Sequence, residues 1–132
     1  MDNLLYLLYF VLSLFVVMQI FMRISTYLKK GKVVKGIEGD LGRSIDSGQK
    51  NLLYFYSNGC AACKPMGPVV DVLKKEFEMV HKINIATDMN IARKFGVMGT
   101  PSTVLIEHRK ISSFLVGTKS ESTLRKLLLT SS

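Results

Sequence analysis

Two cysteines in 132 residues are too few for a disulfide-dense secreted scaffold, and three positions apart they close too small a loop to reinforce a fold much. Such a pair points to chemistry rather than reinforcement. Histidine is as scarce, at two, and neither His81 nor His108 stands at a zinc-finger distance from the cysteines, which disfavours a metal site. There is no low-complexity tract, and 48% apolar residues argue against wholesale disorder. The length leaves room for one modest domain and excludes multidomain readings. Acidic residues are few, ten against eighteen Lys and Arg, for a formal charge of +8. That excess suits nucleic acid, anionic lipid or plain membrane topology, and its placement decides among them.

The amino end lacks charge altogether from Asn3 to Met22, where only Asn3, Ser13 and Gln19 are strongly polar. Twenty such residues make a helix of about 30 Å, the thickness of a bilayer hydrocarbon core. Tyr6, Tyr9 and Tyr27 near its two ends suit the headgroup level. A cleaved signal peptide is the rival reading, but it requires a basic start, a shorter apolar core and a small-residue cleavage site, and Met1-Asp2-Asn3 supplies no basic side chain. A soluble core helix fits worse, since few are apolar all round for five turns. Arg23, Lys29, Lys30, Lys32 and Lys35 come next with no acid among them, so five of the eight net charges flank the span. Most of the basicity is therefore topological. Positions 37–132 carry a net +4 spread along the chain without a basic and aromatic stripe, and no nucleic-acid partner is expected. By the positive-inside rule the flank and the residues beyond it are cytoplasmic.

The expected organisation is an anchor at 1–28, a basic, glycine-containing linker at 29–48, and a soluble domain at 49–132. Five glycines (31, 36, 39, 42, 48) mark the linker as a flexible tether, with a short helical turn around Leu41 and Ile45; preceded by no strand, they make no phosphate loop. Leu52 to Ser57 reads as a buried strand, and Met66, Val69, Val70, Leu73 and Phe77 recur at helical spacing. Val80 to Ala86 reads as a second strand and Met89 to Phe95 as a short helix closed by Gly96. Ser102 to Glu107 and Lys110 to Val116 form a hairpin turning at His108 and Arg109, and Ser120 caps a last helix. This order predicts an α/β domain with a mixed sheet and helices on both faces.

Cys60-Ala61-Ala62-Cys63-Lys64 falls between the first strand and the first helix. A sulfur at a helix mouth meets unpartnered N–H groups and the positive end of the dipole, which favour thiolate; Cys60 is the candidate nucleophile. Cys63, one helical turn on, is placed to attack the Cys60 sulfur and release a captured partner. Lys64 adds positive charge. Pro65 and Pro68 are each expected to remove a helical hydrogen bond and bend the first segment. The competing readings are two buried inert thiols, or metal capture.

Together these features resemble the thioredoxin family, specifically a membrane-tethered thioredoxin-like protein. The likeness rests on LLYFYS, CAAC with Lys64, the helix proline Pro68, KINIA, KFGVMGTPSTVLI and the closing VGTKSESTLRKLL. It runs from about Asn51 to the carboxyl end. It implies a thioredoxin-like fold and a cis Thr100-Pro101 bond facing the cysteines. Thr100 would offer backbone groups to an incoming peptide, with Gly59, Ala62, Met98 and Gly99 lining the contact surface. Met98 has a second reading, as core packing. Three departures stand out: Gly59 replaces the usual Trp, Ala61-Ala62 replaces Gly-Pro, and Tyr54 stands where the family carries a buried Asp, while that Asp's partner persists as Lys82. Tyr54 is a poor base at neutral pH, so slow resolution by Cys63 is expected.

The resulting expectation is a single-pass thiol–disulfide oxidoreductase, with Cys60 and Cys63 catalytic and no cofactor beyond their own disulfide. Its partners would be protein disulfides or dithiols near the membrane, an electron donor or acceptor, and the lipid bilayer. The expected setting is a bacterial inner membrane; family habit supplies the extracytoplasmic side as the alternative to the cytoplasmic one. A non-enzymatic docking or metal-binding module on the same fold is the alternative function.

Overall fold

A computed structural model describes residues 1–130. Ser131 and Ser132, the end of the expected domain, lie outside the described residues. The elements are α1 (Asp2–Lys29), α2 (Gly39–Asp46), β1 (Asn51–Tyr56), a 3-10 turn (Ala61–Cys63), α3 (Met66–Glu76), β2 (Val80–Asn84), α4 (Met89–Lys94), β3 (Ser102–Glu107), β4 (Lys110–Val116) and α5 (Glu121–Leu129). From β1 onward this is the strand and helix order read from hydrophobic periodicity.

The four strands form one sheet in the order β2-β1-β3-β4. β1 pairs in parallel with β2 through the α3 crossover and antiparallel with β3, and β3 pairs antiparallel with β4. β1 is a continuous apolar run because both of its faces are covered. Leu53 and Phe55 point into a cluster with Ile45 of α2, Ala92 of α4 and Phe95, which ends α4. Leu52 and Tyr54 point the other way, onto Met66, Val70 and Leu73 of α3 and Leu124 and Leu128 of α5. The hairpin turns at His108 and Arg109, whose φ angles of 49° and 66° are those of a two-residue turn matched to strand twist. Ser120 caps α5 by accepting from the Thr123 N–H. Arg125 then ties α5 to α3 through Glu76 at 2.6 Å.

The segment expected as a flexible tether is packed instead. Val33 bridges Lys110, Val34 N–H donates to the Arg109 carbonyl, and Val34, Ile37 and Ile45 are buried. Each such side chain contributes on the order of 2 kcal/mol by leaving water. The expected turn around Leu41 and Ile45 forms α2, and Val34, Ile37 and Ile45 join a cluster with residues of β1, β3, β4 and α4. α2 presses so closely on the preceding chain that a Cβ at Gly42 would fall 1.8 Å from the Ile37 carbonyl oxygen.

α1 is a single 28-residue helix, long and apolar enough to cross a membrane by length and composition. Its apolar run is exposed along its whole length. Among the described residues, its carboxyl end is the part that touches the domain. There Lys29 Nζ donates to the Gly96 carbonyl at 2.7 Å and lies 4.5 Å from the centre of the Phe114 ring.

Candidate active site at the end of the sheet

β1 ends at Tyr56, and the chain turns through Ser57, Asn58 and Gly59 before Cys60. Cys60 and Cys63 are joined by a disulfide with their Cα atoms 5.3 Å apart. Cys60 is half-exposed, Cys63 buried, and Ala61 and Ala62 exposed, so the first sulfur is the one that faces solvent. The local structure differs from the expected helix mouth. Cys60 caps a three-residue 3-10 turn, and α3 proper begins only at Met66. Pro65 is the N-cap residue, and Pro68 is the third helical residue, where N–H groups have no intrahelical partner anyway. The prolines therefore separate two short pieces and do not bend one helix. Such a short turn carries little dipole, and the direct support for charge on Cys60 is the Cys63 N–H, which donates to its Sγ at 3.2 Å.

At the same end of the sheet, Thr100-Pro101 is cis. The Thr100 hydroxyl stands 3.4 Å from that of Ser57, Ser102 donates to the Gly99 carbonyl at 2.7 Å, and Gly117 N–H donates to the Pro101 carbonyl at 2.9 Å. Thr118 closes the other side by donating to the Ala62 carbonyl at 3.0 Å. Gly59, Ala62, Met98 and Gly99 are all exposed at this end, and Thr100 is half-buried beside them. Met98 is 91% exposed, so its reading as core packing is set aside. Pro68 is exposed on α3, outside this cluster.

A crevice of about 160 Å³ opens between the dithiol and β2, lined by Tyr54, Tyr56, Cys60, Cys63, Lys64 and Lys82 among others. Tyr54 is 1% exposed and its hydroxyl donates to the Cys63 carbonyl at 3.3 Å. Burial, and after it Tyr56 and Asp71, push its phenol above the ordinary tyrosine range, so it stays protonated and is no base for Cys63. Lys82, without the family's buried acid, pairs with Asp71 of α3 at 2.8 Å and lies over the Tyr56 ring at 5.1 Å. Sequence reading passed over Ser57, Asp71 and Thr118. Ser57 and Thr118 lie within segments that carried the resemblance but had no role assigned to them, and Asp71 was one of several charges on the solvent side of an amphipathic helix. His81 faces away and contacts Asn51 at 3.0 Å. Among the described residues no group of three or more His, Cys, Asp or Glu is arranged to hold a metal ion.

The comparisons agree with this geometry. A family model described as Thioredoxin matches residues 32–130. Thioredoxin 2 of Plasmodium berghei (strain Anka) is 39% identical over 84 residues, 58% of this chain, and the chain spans 54% of that protein's length. Thioredoxin of Buchnera aphidicola subsp. Baizongia pistaciae is 30% identical over 87 residues, covering 64% of this chain and 80% of its own. Among solved structures, a point-mutant thioredoxin from Halobacterium salinarum NRC-1 superposes with a TM-score of 0.58 at 26% identity, over 69% of this chain and 83% of its own.

Proposed function

This chain belongs to the thioredoxin family, and on that premise we propose that it is a membrane-anchored thiol–disulfide oxidoreductase. The observation that carries the reading is the Cys60–Cys63 disulfide at the end of β1, in a domain whose Thr100-Pro101 bond is cis. In the reducing direction the Cys60 thiolate attacks one sulfur of a substrate disulfide. The other substrate sulfur leaves as thiolate, and a mixed disulfide joins substrate to Cys60. Cys63 then loses its proton and attacks Cys60 Sγ, expelling the second substrate thiolate and forming the Cys60–Cys63 bond. Two electrons pass from the dithiol to the substrate, and no further cofactor takes part. A reductant of the dithiol class must restore the pair.

The remaining residues have supporting roles in this scheme. Gly59, Ala62, Met98 and Gly99 form the contact surface, Thr100 offers backbone groups to an extended peptide, and Pro101 shapes the groove. Lys64 raises the local positive potential. Tyr54 holds the 3-10 turn by its bond to Cys63. With Tyr54 protonated and Lys82 held by Asp71, the Cys63 proton passes to water in the crevice. Residues 1–28 anchor the protein, 29–48 brace the domain against the anchor, and the five-cation flank puts the domain on the cytoplasmic face.

Reduction of insulin by the full-length protein in detergent, with Cys60→Ser as control, tests the chemistry. Turbidity that develops equally with both proteins would sink it. Protease added to the outside of intact cells tests the membrane side, and cleavage of the domain there would reverse that assignment.

A further inference from the structure

The membrane helix leaves the domain on the same side as the dithiol. Gly31 N–H donates to the Ile111 carbonyl at 2.7 Å, so the chain departs from α1 level with the start of β4. Arg23, Thr26, Tyr27 and Lys30 share one helix face and line a groove with residues 112–115. Followed backward from Gly31, α1 therefore advances along β4 in the strand's own direction. That strand finishes where Gly117 bonds the Pro101 carbonyl and Thr118 bonds the Ala62 carbonyl, beside the redox site. Lys29 fastens this arrangement by its bond to Gly96, the residue that opens the loop to Thr100-Pro101.

The lengths fix a height. From Lys30 back to Arg23 the helix rises about 10 Å, and from Ile111 to Leu115 the strand advances about 14 Å. The uncharged run stops at Met22. The edge of the hydrocarbon layer thus falls near the level of the last residues of β4, one loop from the dithiol. The surface presented there suits a headgroup layer: Met98 is 91% and Val116 43% exposed, and Lys64 is exposed beside Cys60.

We propose that the dithiol faces the bilayer and that its substrates are disulfides in interfacial or juxtamembrane segments of integral membrane proteins, within roughly 10 Å of the lipid surface. The proposal rests on the anchored oxidoreductase reading. It adds direction and reach: a site held at this height meets membrane-borne cysteines at high effective concentration, whereas large soluble substrates must enter beneath the domain.

The test uses the full-length, pre-reduced protein in vesicles of phosphatidylcholine with one fifth phosphatidylglycerol. Two transmembrane peptides carry a quenched, disulfide-linked dye on proline spacers of about 6 Å and about 43 Å, and free insulin serves as the reference. The near probe is expected to be reduced at least about tenfold faster than the far one, a difference of ~1.4 kcal/mol in barrier. Equal rates, or a faster far probe, with insulin still reduced would overturn the orientation and leave the oxidoreductase reading standing. No reduction of insulin or of either probe would overturn both.

A second measurement does not depend on turnover. The chain has no tryptophan, so Met98→Trp and Glu78→Trp each introduce a single reporter, at the redox end and at the opposite end. Nitroxide-headgroup lipid is expected to quench the Met98→Trp variant strongly and the Glu78→Trp variant little. Equal quenching, or the reverse order, would overturn the proposal.

Discussion

At the dithiol end of the sheet the chain leaves polar groups and small residues open to solvent, and at the opposite end it buries and pairs them. Asn51 is 0% exposed at the start of β1, and its side-chain amide oxygen Oδ1 is contacted by Ser44 Oγ and His81 Nε2, each at 3.0 Å. Lys50 joins Glu107 at 2.9 Å and also donates to the Thr130 carbonyl at 2.6 Å, tying α5 to the sheet. Nothing so closed surrounds Gly59, Met98 or Gly99. The difference teaches a division of labour within one small sheet. The far end pairs its buried polar groups and holds the fold, and the near end keeps its small and polar residues at the surface.

Substitutions that harm one end and spare the other sharpen this contrast. The largest effect is expected at the near end: Cys60→Ser should abolish insulin reduction while leaving the urea midpoint that of the reduced wild type. Loss of both together would blur the division. Next, Gly42→Ala drives a methyl into the Ile37 carbonyl and should cost about 3 kcal/mol, read as a lowered urea midpoint with unchanged slope. A wild-type midpoint would mean that α2 moves freely, as a tether does. Lys50→Met should cost about 2 kcal/mol by removing the cation beside buried Glu107 and the link to α5, while the rate per folded molecule stays constant.

Two smaller effects probe the boundary between the ends. Tyr54→Asp restores an acid beside Cys63 and should speed release of a trapped mixed disulfide severalfold at neutral pH, at a cost in stability because a carboxylate replaces a buried ring. Release no faster than wild type would show that the Cys63 proton is not limiting. The last concerns pH. Burial, then Lys74, lower the His81 pKa, so the folded protein binds the imidazole proton less readily than the unfolded chain. Stability is then fully present above the unfolded value, near 6.5, and declines as pH falls below it. Thermal midpoints of wild type and His81→Asn should converge on acidification from pH 7.5 to 5.5, and a constant gap would remove His81 from the account.

How much of this was legible beforehand varies by residue. The β1 run, the period of α3 and the Ser120 cap lie in short stretches of chain, and local physics reads them directly. Cys60, Cys63 and the Thr100-Pro101 pair were legible because thiol exchange needs two sulfurs one turn apart, and the resemblance supplied their partner loop. Ile37 was not, because its burial depends on β3 and β4, far along the chain, and Gly42 was not, because its crowding depends on how α2 folds back on Ile37. Lys82 was expected to persist without the family's buried Asp, and the acid it pairs with instead, Asp71, is set by where α3 lies against β2. Lys29 looked like topology alone, and only folding reveals that it also binds the Gly96 carbonyl.

What the sequence by itself determined is the chemistry and the local pattern of the molecule. Twenty uncharged residues make a helix long and apolar enough to cross a membrane, an alternating order of strands and helices builds a two-sided sheet, and two sulfurs three positions apart close a ring. Only the tertiary structure decided direction: which acid holds Lys82, which carbonyl receives Lys29, and toward which side of the domain the dithiol points. Direction arises when segments distant in sequence pack together, and the free energy of that packing belongs to surfaces that do not exist until the chain has folded.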